Sequence, residues 1–264
     1  MGKKKKAELD KQKERFINGA LKKGITKDVA NFVFTKIEPF AQYGFNKSHA
    51  AAYALIAYQT AFLKTYYKED FIAATMSTEL TNTSKLREFV EELKKLKIEI
   101  IKPSINKCFS DFRAINGKIV YGLGAIKSVG FEAITNIINQ REKNGIFKSL
   151  TDFINRVNAK DVNKLQLEGL VKAGVFDEFD KDRGKILNSI PKMIQQIKNI
   201  NDDKNNNQTN LFDDQNISEV GFEFLPSAPW KQKELLSEEF KSIGFYLTNH
   251  PLNEYEEIFN QLNI

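Results

Sequence analysis

Four consecutive polar side chains, an amide, an ammonium group, a hydroxyl and an imidazole, occur at Asn46, Lys47, Ser48 and His49. Residues 50–63 follow without a charge, which predicts a helix with Ser48 as its N-cap. The beginning of a helix favours negative charge, so this group could bind an anion. The spacing alone favours the alternative, an ordinary capped core helix. Because the helix is apolar on every side, it is expected to be buried.

Two large apolar side chains, Leu211 and Phe212, lie in a tract of asparagine and aspartate between Asn201 and Asp214. Such a tract cannot bury enough apolar area to fold and is predicted to be a disordered linker. Nothing inside it could cover the two side chains. They are expected to dock into a preformed pocket of a partner, with Gln208 adding a hydrogen bond, or on the surface of this chain itself.

The charge is distributed unevenly along the chain. Residues 1–70 carry 14 Lys/Arg against 7 Asp/Glu and residues 71–200 carry 22 against 15, whereas residues 201–264 carry 4 against 12. A basic body favours a polyanionic partner for the first 200 residues, although a merely solvated surface would look similar. The lone Cys108 excludes a disulfide framework and favours a reducing cytoplasm.

The residue types favour neither a metal cluster nor a membrane-spanning segment. The chain has only two histidines, His49 and His250, too few for a His-rich metal cluster. The uncharged run of residues 50–63 is too short to span a bilayer. We therefore expect a cytoplasmic protein with no membrane partner.

Helical periodicity dominates the elements that must position these side chains. Leu86, Phe89, Val90, Leu93 and Leu96 recur at helical spacing. One β-hairpin is predicted, because Asn116-Gly117 separates two short apolar runs and favours a type I′ turn. Gly174 is predicted to follow a helix in the C′ position. The fold class is therefore mainly α with a small β-hairpin.

The residues around the polar group closely resemble a known family. Residues 43–53 (YGFNKSHAAAY) and 57–64 (AYQTAFLK) resemble the fingers of the alpha subunit of bacterial DNA polymerase III, a family C replicative polymerase. The resemblance continues over essentially all 264 residues. It implies a DNA-directed DNA polymerase, a nucleotidyltransferase of DNA replication. In the complete enzyme, Asn46, Lys47, Ser48 and His49 would contact the incoming dNTP.

Residues 121–133 resemble the helix-hairpin-helix motif of the same subunits. In that motif a Gly-apolar-Gly turn lets backbone N–H groups approach a DNA phosphate, which gives binding without base readout. The resemblance implies phosphate contacts at Lys127, Ser128, Val129 and Gly130. Ser128 stands where a glycine is commonest, and Lys127 could add a charge. From the residues alone, a turn that only packs two helices is equally possible.

Residues 208–212 (QTNLF) resemble the bacterial sliding-clamp-binding motif and lie where the family carries its internal one. This implies that Gln208, Leu211 and Phe212 bind the sliding clamp, the beta subunit. DNA and the other subunits of the polymerase III holoenzyme would be further partners.

The same resemblance divides the chain into four parts. These are distal fingers (1–97), a helix-hairpin-helix or clamp-binding domain (98–200), a disordered linker with the clamp motif (201–229) and a lead-in to an oligonucleotide-binding barrel (230–264). The chain as a whole resembles a fragment that begins midway through the fingers.

Nucleotidyl transfer needs two metal ions about 4 Å apart, held by carboxylates on a rigid sheet. The acidic clusters at 177–180, 202–203 and 213–214 lie on no predicted strand and are expected to be solvated turns. The family's catalytic aspartates lie upstream, in its palm. We therefore expect no catalytic residue, metal site or cofactor here, and Mg²⁺ only in the complete polymerase. The alternative function is a stand-alone DNA- or clamp-binding adaptor without catalysis.

Overall fold

The computed structural model describes residues 6–43, 47–205, 221–255 and 261. The chain forms two compact units, one ending at Tyr66 and the other beginning at Tyr67. Helices dominate both units and a small β-sheet lies in the second, which confirms the predicted mainly α fold with a β-hairpin.

The first unit contains α1 (Lys6–Lys22), α2 (Lys27–Tyr43) and α3 (Lys47–Tyr66). Gly24, with φ 77°, reverses the chain so that α1 and α2 pack together. The rings of Phe16 and Phe34 lie 5.6 Å apart, and Ala30 and Phe34 are buried. These contacts give the first unit only a small core.

α3 is exposed along its whole length, and the prediction of a buried helix is wrong for this unit. Its apolar sequence requires neighbours on every side. The other two helices of the first unit, α1 and α2, pack on each other and do not cover it. As a result, Tyr58, Phe62 and Tyr66 form an exposed row, with ring centroids 6.5 Å and 4.6 Å apart.

The second unit begins with α4 (Lys68–Thr78) and α5 (Thr83–Leu96), which the sequence assigns to the part before the boundary at residue 97. α4 packs directly on β2 and β3, and α5 packs on α4. Ile72, Met76 and Leu86 are buried in the same core as the strands. The Ser77 hydroxyl donates to the Phe112 carbonyl at 3.1 Å and accepts the Phe112 N–H at 3.0 Å. The structural division therefore falls after Tyr66.

The sheet consists of β1 (Ile100–Ile101), β2 (Arg113–Ile115) and β3 (Lys118–Val120), in the order β1-β3-β2. β1 runs parallel to β3, and β2 pairs antiparallel with β3 in the register Arg113 to Val120. Asn116 and Gly117 both have positive φ, 51° and 73°, as a type I′ turn requires. The predicted hairpin is confirmed.

The remaining helices are α6 (Phe131–Asn144), α7 (Leu150–Arg156), α8 (Lys164–Lys172), α9 (Arg183–Asn205) and α10 (Gln232–Ile243). Phe147, Phe153 and Phe176 are buried at the centre of this array. The rings of Phe153 and Phe147 are 5.3 Å apart and those of Phe153 and Phe176 are 5.0 Å apart, both edge to face. Ile243 at the end of α10 and Phe245 and Leu247 just after it complete the same core.

α8 ends as the sequence predicts. Gly174 has φ 78°, its N–H donates to the Val171 carbonyl, and the Val175 N–H donates to the Leu170 carbonyl. This pair of bonds is a Schellman motif with glycine at C′. The turn fixes where the chain leaves α8 and enters α9.

α9 continues to Asn205, past the predicted start of the linker at residue 201. The chain described from Gly221 onward packs on the same helix, because the Leu225 N–H donates to the Ser189 hydroxyl at 2.8 Å. The Lys192 ammonium group donates to the Glu223 carbonyl, also at 2.8 Å. Residues 206–220 therefore connect the end of α9 to a segment that lies against α9. No helix in the described parts of the chain is both long and apolar enough to cross a bilayer.

Candidate nucleic-acid interface

A 3-10 turn at Leu123–Ala125 leads into the hairpin of residues 126–130, and α6 follows directly. The Leu123 and Gly124 N–H groups donate to the carbonyls of Phe109 and Ser110 at 2.7 Å and 2.9 Å. A Cβ on Gly124 would lie 2.7 Å from the Ser110 oxygen, so only glycine allows this approach. The turn before the hairpin is thus fixed against residues 109–112.

The hairpin forms with serine where glycine is commonest in the family. Ser128 takes a left-handed backbone conformation with φ 66°. For a residue with a Cβ this costs roughly 1–2 kcal/mol, which the packing around the turn must offset. The predicted tight turn is therefore present, with backbone strain at Ser128.

Three N–H groups around the turn, those of Ser128, Gly130 and Phe131, have no protein acceptor among the described residues. All three residues are exposed, and Phe131 opens α6, where the helix dipole favours negative charge. The ammonium group of Lys127 is exposed and forms no ion pair with any described carboxylate. This arrangement can bind a phosphate oxygen through backbone donors and one cation.

Two backbone N–H groups of the predicted phosphate site are used inside the protein. The Lys127 N–H donates to the Ser242 carbonyl at 2.9 Å and the Val129 N–H to the Ile126 carbonyl at 3.1 Å. Lys127 can therefore contribute only its side chain to an anion, while Val129 shapes the turn.

The sequence did not predict the residues outside the hairpin that pack against it. A Cβ on Gly169 of α8 would lie 2.7 Å from the Lys127 carbonyl oxygen, so α8 passes directly against the hairpin. A glycine in the middle of a helical pattern is the signal that could have indicated such a close approach. The contact with Ser242 joins residues 115 positions apart and has no local signal.

The acidic residues 177–180 are not solvated turns, because each carboxylate has a protein partner. The Arg183 guanidinium donates one hydrogen bond to each carboxylate oxygen of Asp177, at 2.8 Å and 2.6 Å. Glu178 accepts hydrogen bonds from Ser104 and from the Asn106 N–H. Partial burial raises the pKa of Asp180, but the hydrogen bonds from Lys185 and from the Asp182 N–H, together with the Lys185 charge, outweigh burial and hold the pKa below its usual value.

These carboxylates do not fit a pair of Mg²⁺ ligands, since both oxygens of Asp177 are already engaged by Arg183. They hold the turn between α8 and α9. The cluster is part of the scaffold of the second unit.

Of the predicted nucleotide-contacting residues, Asn46 lies outside the described residues. Lys47, Ser48 and His49 form the exposed first turn of α3, and the His49 ring packs edge-on against Tyr53 at 4.7 Å. Ser48 is the second residue of the helix and not its N-cap. The predicted clamp-binding residues Gln208, Leu211 and Phe212 also lie outside the described residues.

Comparison with known proteins gives the hairpin a context. Residues 97–186 match the helix-hairpin-helix motif family, which confirms the predicted motif. The whole chain is 40% identical to a DNA polymerase III subunit alpha of Borreliella burgdorferi and covers 24% of that protein. This chain is also 40% identical to the DNA polymerase III subunit alpha of Caulobacter vibrioides. The matched region is 96% of this chain and 22% of that protein. It is 42% identical to the DNA polymerase III subunit alpha of Neisseria meningitidis serogroup A. The matched region is 99% of this chain and 23% of that protein. The chain therefore spans about a quarter of the length of these relatives.

Proposed function

We propose that this chain, similar along its whole length to DNA polymerase III alpha subunits, serves as part of a replicative DNA-directed DNA polymerase. It contributes part of the fingers, contacts to duplex DNA and attachment to the sliding clamp. The observation that carries the proposal is the hairpin at 126–130 together with the beginning of α6, whose unpaired backbone donors lie inside the matched helix-hairpin-helix segment.

The hairpin acts by holding the DNA backbone without reading its sequence. Backbone N–H groups and one ammonium group recognise phosphate oxygens, which every sequence presents equally. The base edges are not contacted, so affinity comes mainly from charge and from the release of counterions. Such a contact suits a polymerase, which must move along any sequence.

α3 supports the proposal from the first unit. A helix that is apolar and exposed on every side needs a covering protein layer, and the relatives are about four times longer than this chain. The rest of a polymerase would supply that layer. Lys47, Ser48 and His49 at the beginning of α3 would then contact the incoming dNTP, together with Asn46.

Attachment to the clamp rests on Gln208, Leu211 and Phe212, between the end of α9 and the segment packed on α9. The partners are DNA, dNTP, the sliding clamp and other holoenzyme subunits, in the cytoplasm. The Mg²⁺ ions of the polymerase reaction would be held by carboxylates outside this chain.

Duplex binding tests the hairpin. The chain should bind DNA weakly and without sequence preference, with a slope of log affinity against log salt of roughly −2 to −4 for a few phosphates at about −0.9 each. Fluorescence anisotropy with two unrelated duplexes between about 50 and 200 mM salt measures it.

Gly130→Val is the matched variant. Gly130 has an ordinary negative φ of −73°, and an added Cβ would meet the flexible end of Gln166 at 3.2 Å. The fold should therefore persist while the larger side chain blocks the N–H groups, and affinity should fall. Affinity that ignores salt, or a Gly130→Val variant that binds equally well, contradicts the hairpin contact.

Primer extension separates the polymerase from the adaptor. With Mg²⁺ and all four dNTPs, the isolated chain should extend no primer, because the described residues contain no group of carboxylates suited to two metals. Adding a segment that carries the palm of a relative should restore extension. If extension is not restored although the chain binds DNA and clamp, the stand-alone adaptor is the better assignment. If the chain alone extends a primer, and this activity is lost in Asp177→Ala/Asp180→Ala, catalytic carboxylates lie in this chain. That result would overturn both the adaptor and the polymerase part without catalytic residues.

A further inference from the structure

α10 contacts the hairpin although it lies outside the matched segment of residues 97–186. The carbonyl of Ser242, in the last turn of α10, accepts the Lys127 N–H at 2.9 Å. On the opposite side of the same residue, the Lys127 carbonyl lies against Gly169 of α8. The backbone of Lys127 is thus held between two helices, immediately before the strained Ser128.

The side chain of Lys127 lies beside the end of α10. Gly244 follows α10 with φ 95°, and a Cβ built on it would lie 3.2 Å from the Lys127 Nζ. The C-terminal end of a helix carries partial negative charge, so the end of α10 attracts an ammonium group. Lys127 is therefore kept beside the hairpin by its backbone and by its charge.

The acidic residues of α10 do not compete for Lys127. Glu238 pairs with Lys172 at 3.2 Å and with Lys241. Glu239 is buried and accepts the N–H groups of Leu247 and Thr248, both at 2.9 Å. Glu239 also accepts the Thr248 hydroxyl, which fastens the chain after Gly244 to α10. Neither carboxylate forms an ion pair with Lys127, so its ammonium group stays available to a phosphate beside the hairpin.

We propose that α10 is a working part of the DNA interface, with Ser242 and Gly244 as positioning residues that set the Lys127 ammonium group for its contact with a phosphate. This inference rests on the proposed contact between the hairpin and duplex DNA. It adds a requirement that the matched motif does not contain: affinity for DNA depends on residues 242–244.

Amide hydrogen exchange of the unaltered chain gives the first test. The Lys127 N–H should exchange at least about tenfold more slowly than those of Ser128 and Gly130, because it alone has a protein acceptor. Adding a duplex should slow Ser128 and Gly130 and leave Lys127 nearly unchanged. If Lys127 exchanges as fast as Ser128 in the free chain, α10 does not hold the hairpin and the proposal fails.

A double-mutant cycle gives the second test. Gly244→Ala places a methyl group 2.2 Å from Thr83 and against Lys127, so the contact must open. We expect about tenfold weaker duplex binding, as for one lost charge-assisted contact, and a salt slope smaller by about 0.9. Lys127→Gln should have the same two effects, and the double variant should lose no more than either single one.

Gly145→Ala is the matched control. It also replaces a glycine of positive φ, 81°, after a helix, but the added Cβ meets nothing within 4 Å. Its affinity and salt slope should equal those of the unaltered chain. The role of α10 is overturned, while duplex binding stands, if the losses of affinity in Gly244→Ala and Lys127→Gln add fully in the double variant. It is also overturned if Gly145→Ala and Gly244→Ala lose the same affinity. Absence of duplex binding by the unaltered chain overturns the proposed function itself, and this inference with it.

Discussion

Replacing Phe153 with alanine is expected to lower the free energy of unfolding of the second unit by about 3–5 kcal/mol. The ring is fully buried and stands edge to face with both Phe147 and Phe176. Each aromatic pair contributes about 0.5–1.5 kcal/mol beyond the area that it buries. The cavity left behind cannot collapse easily, since α7 packs on α9 and the rings of Phe147 and Phe176 stand on the walls of the cavity. The total free energy of unfolding of a domain of this size is roughly 5–15 kcal/mol, so a large part of the stability should be lost.

Urea unfolding followed by circular dichroism measures the effect. Phe240→Ala is the matched control, because that ring is 43% exposed. It should cost less than about 1 kcal/mol, as for surface substitutions and partly buried rings. Equal losses in the two variants would show that the aromatic centre does not stabilise the fold as described.

The Leu211→Ala/Phe212→Ala variant is expected to lose binding to the sliding clamp entirely. Each side chain can contribute roughly 1.5–3 kcal/mol on burial, and Gln208 about 1 kcal/mol through a hydrogen bond. Fixing one conformation of the bound peptide and losing rigid-body freedom take back much of this energy. One motif should therefore bind with about micromolar affinity, near −8 kcal/mol. Removing both apolar anchors leaves too little for measurable binding.

Calorimetry of the full chain against a sliding clamp tests this, with a peptide of residues 204–216 as competitor. Thr209→Ala and Asn210→Ala are the controls and should barely change the affinity. If the double alanine variant binds as well as the unaltered chain, the contact is one of charge only and the motif assignment is wrong.

Features set by neighbouring residues were predictable from the sequence. The β-turn at Asn116-Gly117 and the helix end at Gly174 follow from backbone preferences that act over a few residues. The buried face of α6, with Ile134, Ile137 and Ile138, follows from its helical spacing. In each case the signal and the structure lie in the same short segment.

The features that the sequence did not predict depend on residues far apart. The pairing of Asp177 with Arg183 is invisible in a run of acids that looks solvated. The contact between Lys127 and Ser242 needs the whole path of α8, α9 and α10 to be known. The exposure of α3 has another cause: its composition indicates burial, but a sequence cannot state which polypeptide does the covering.

The core of the second unit is assembled from residues at both ends of it, from Ile72 in α4 to Leu247 beyond α10. Ile243, Phe245 and Leu247 cannot take their places until they have left the ribosome. At 5–20 residues per second, the ribosome needs roughly 10–40 s to pass from the beginning of α4 to this last segment. For that time the nascent chain carries an incomplete core with exposed apolar surface, a state that chaperones bind and that aggregates readily. Slow codons placed far enough along that residue 247 has already left the ribosome would therefore protect this unit during translation better than slow codons placed within it.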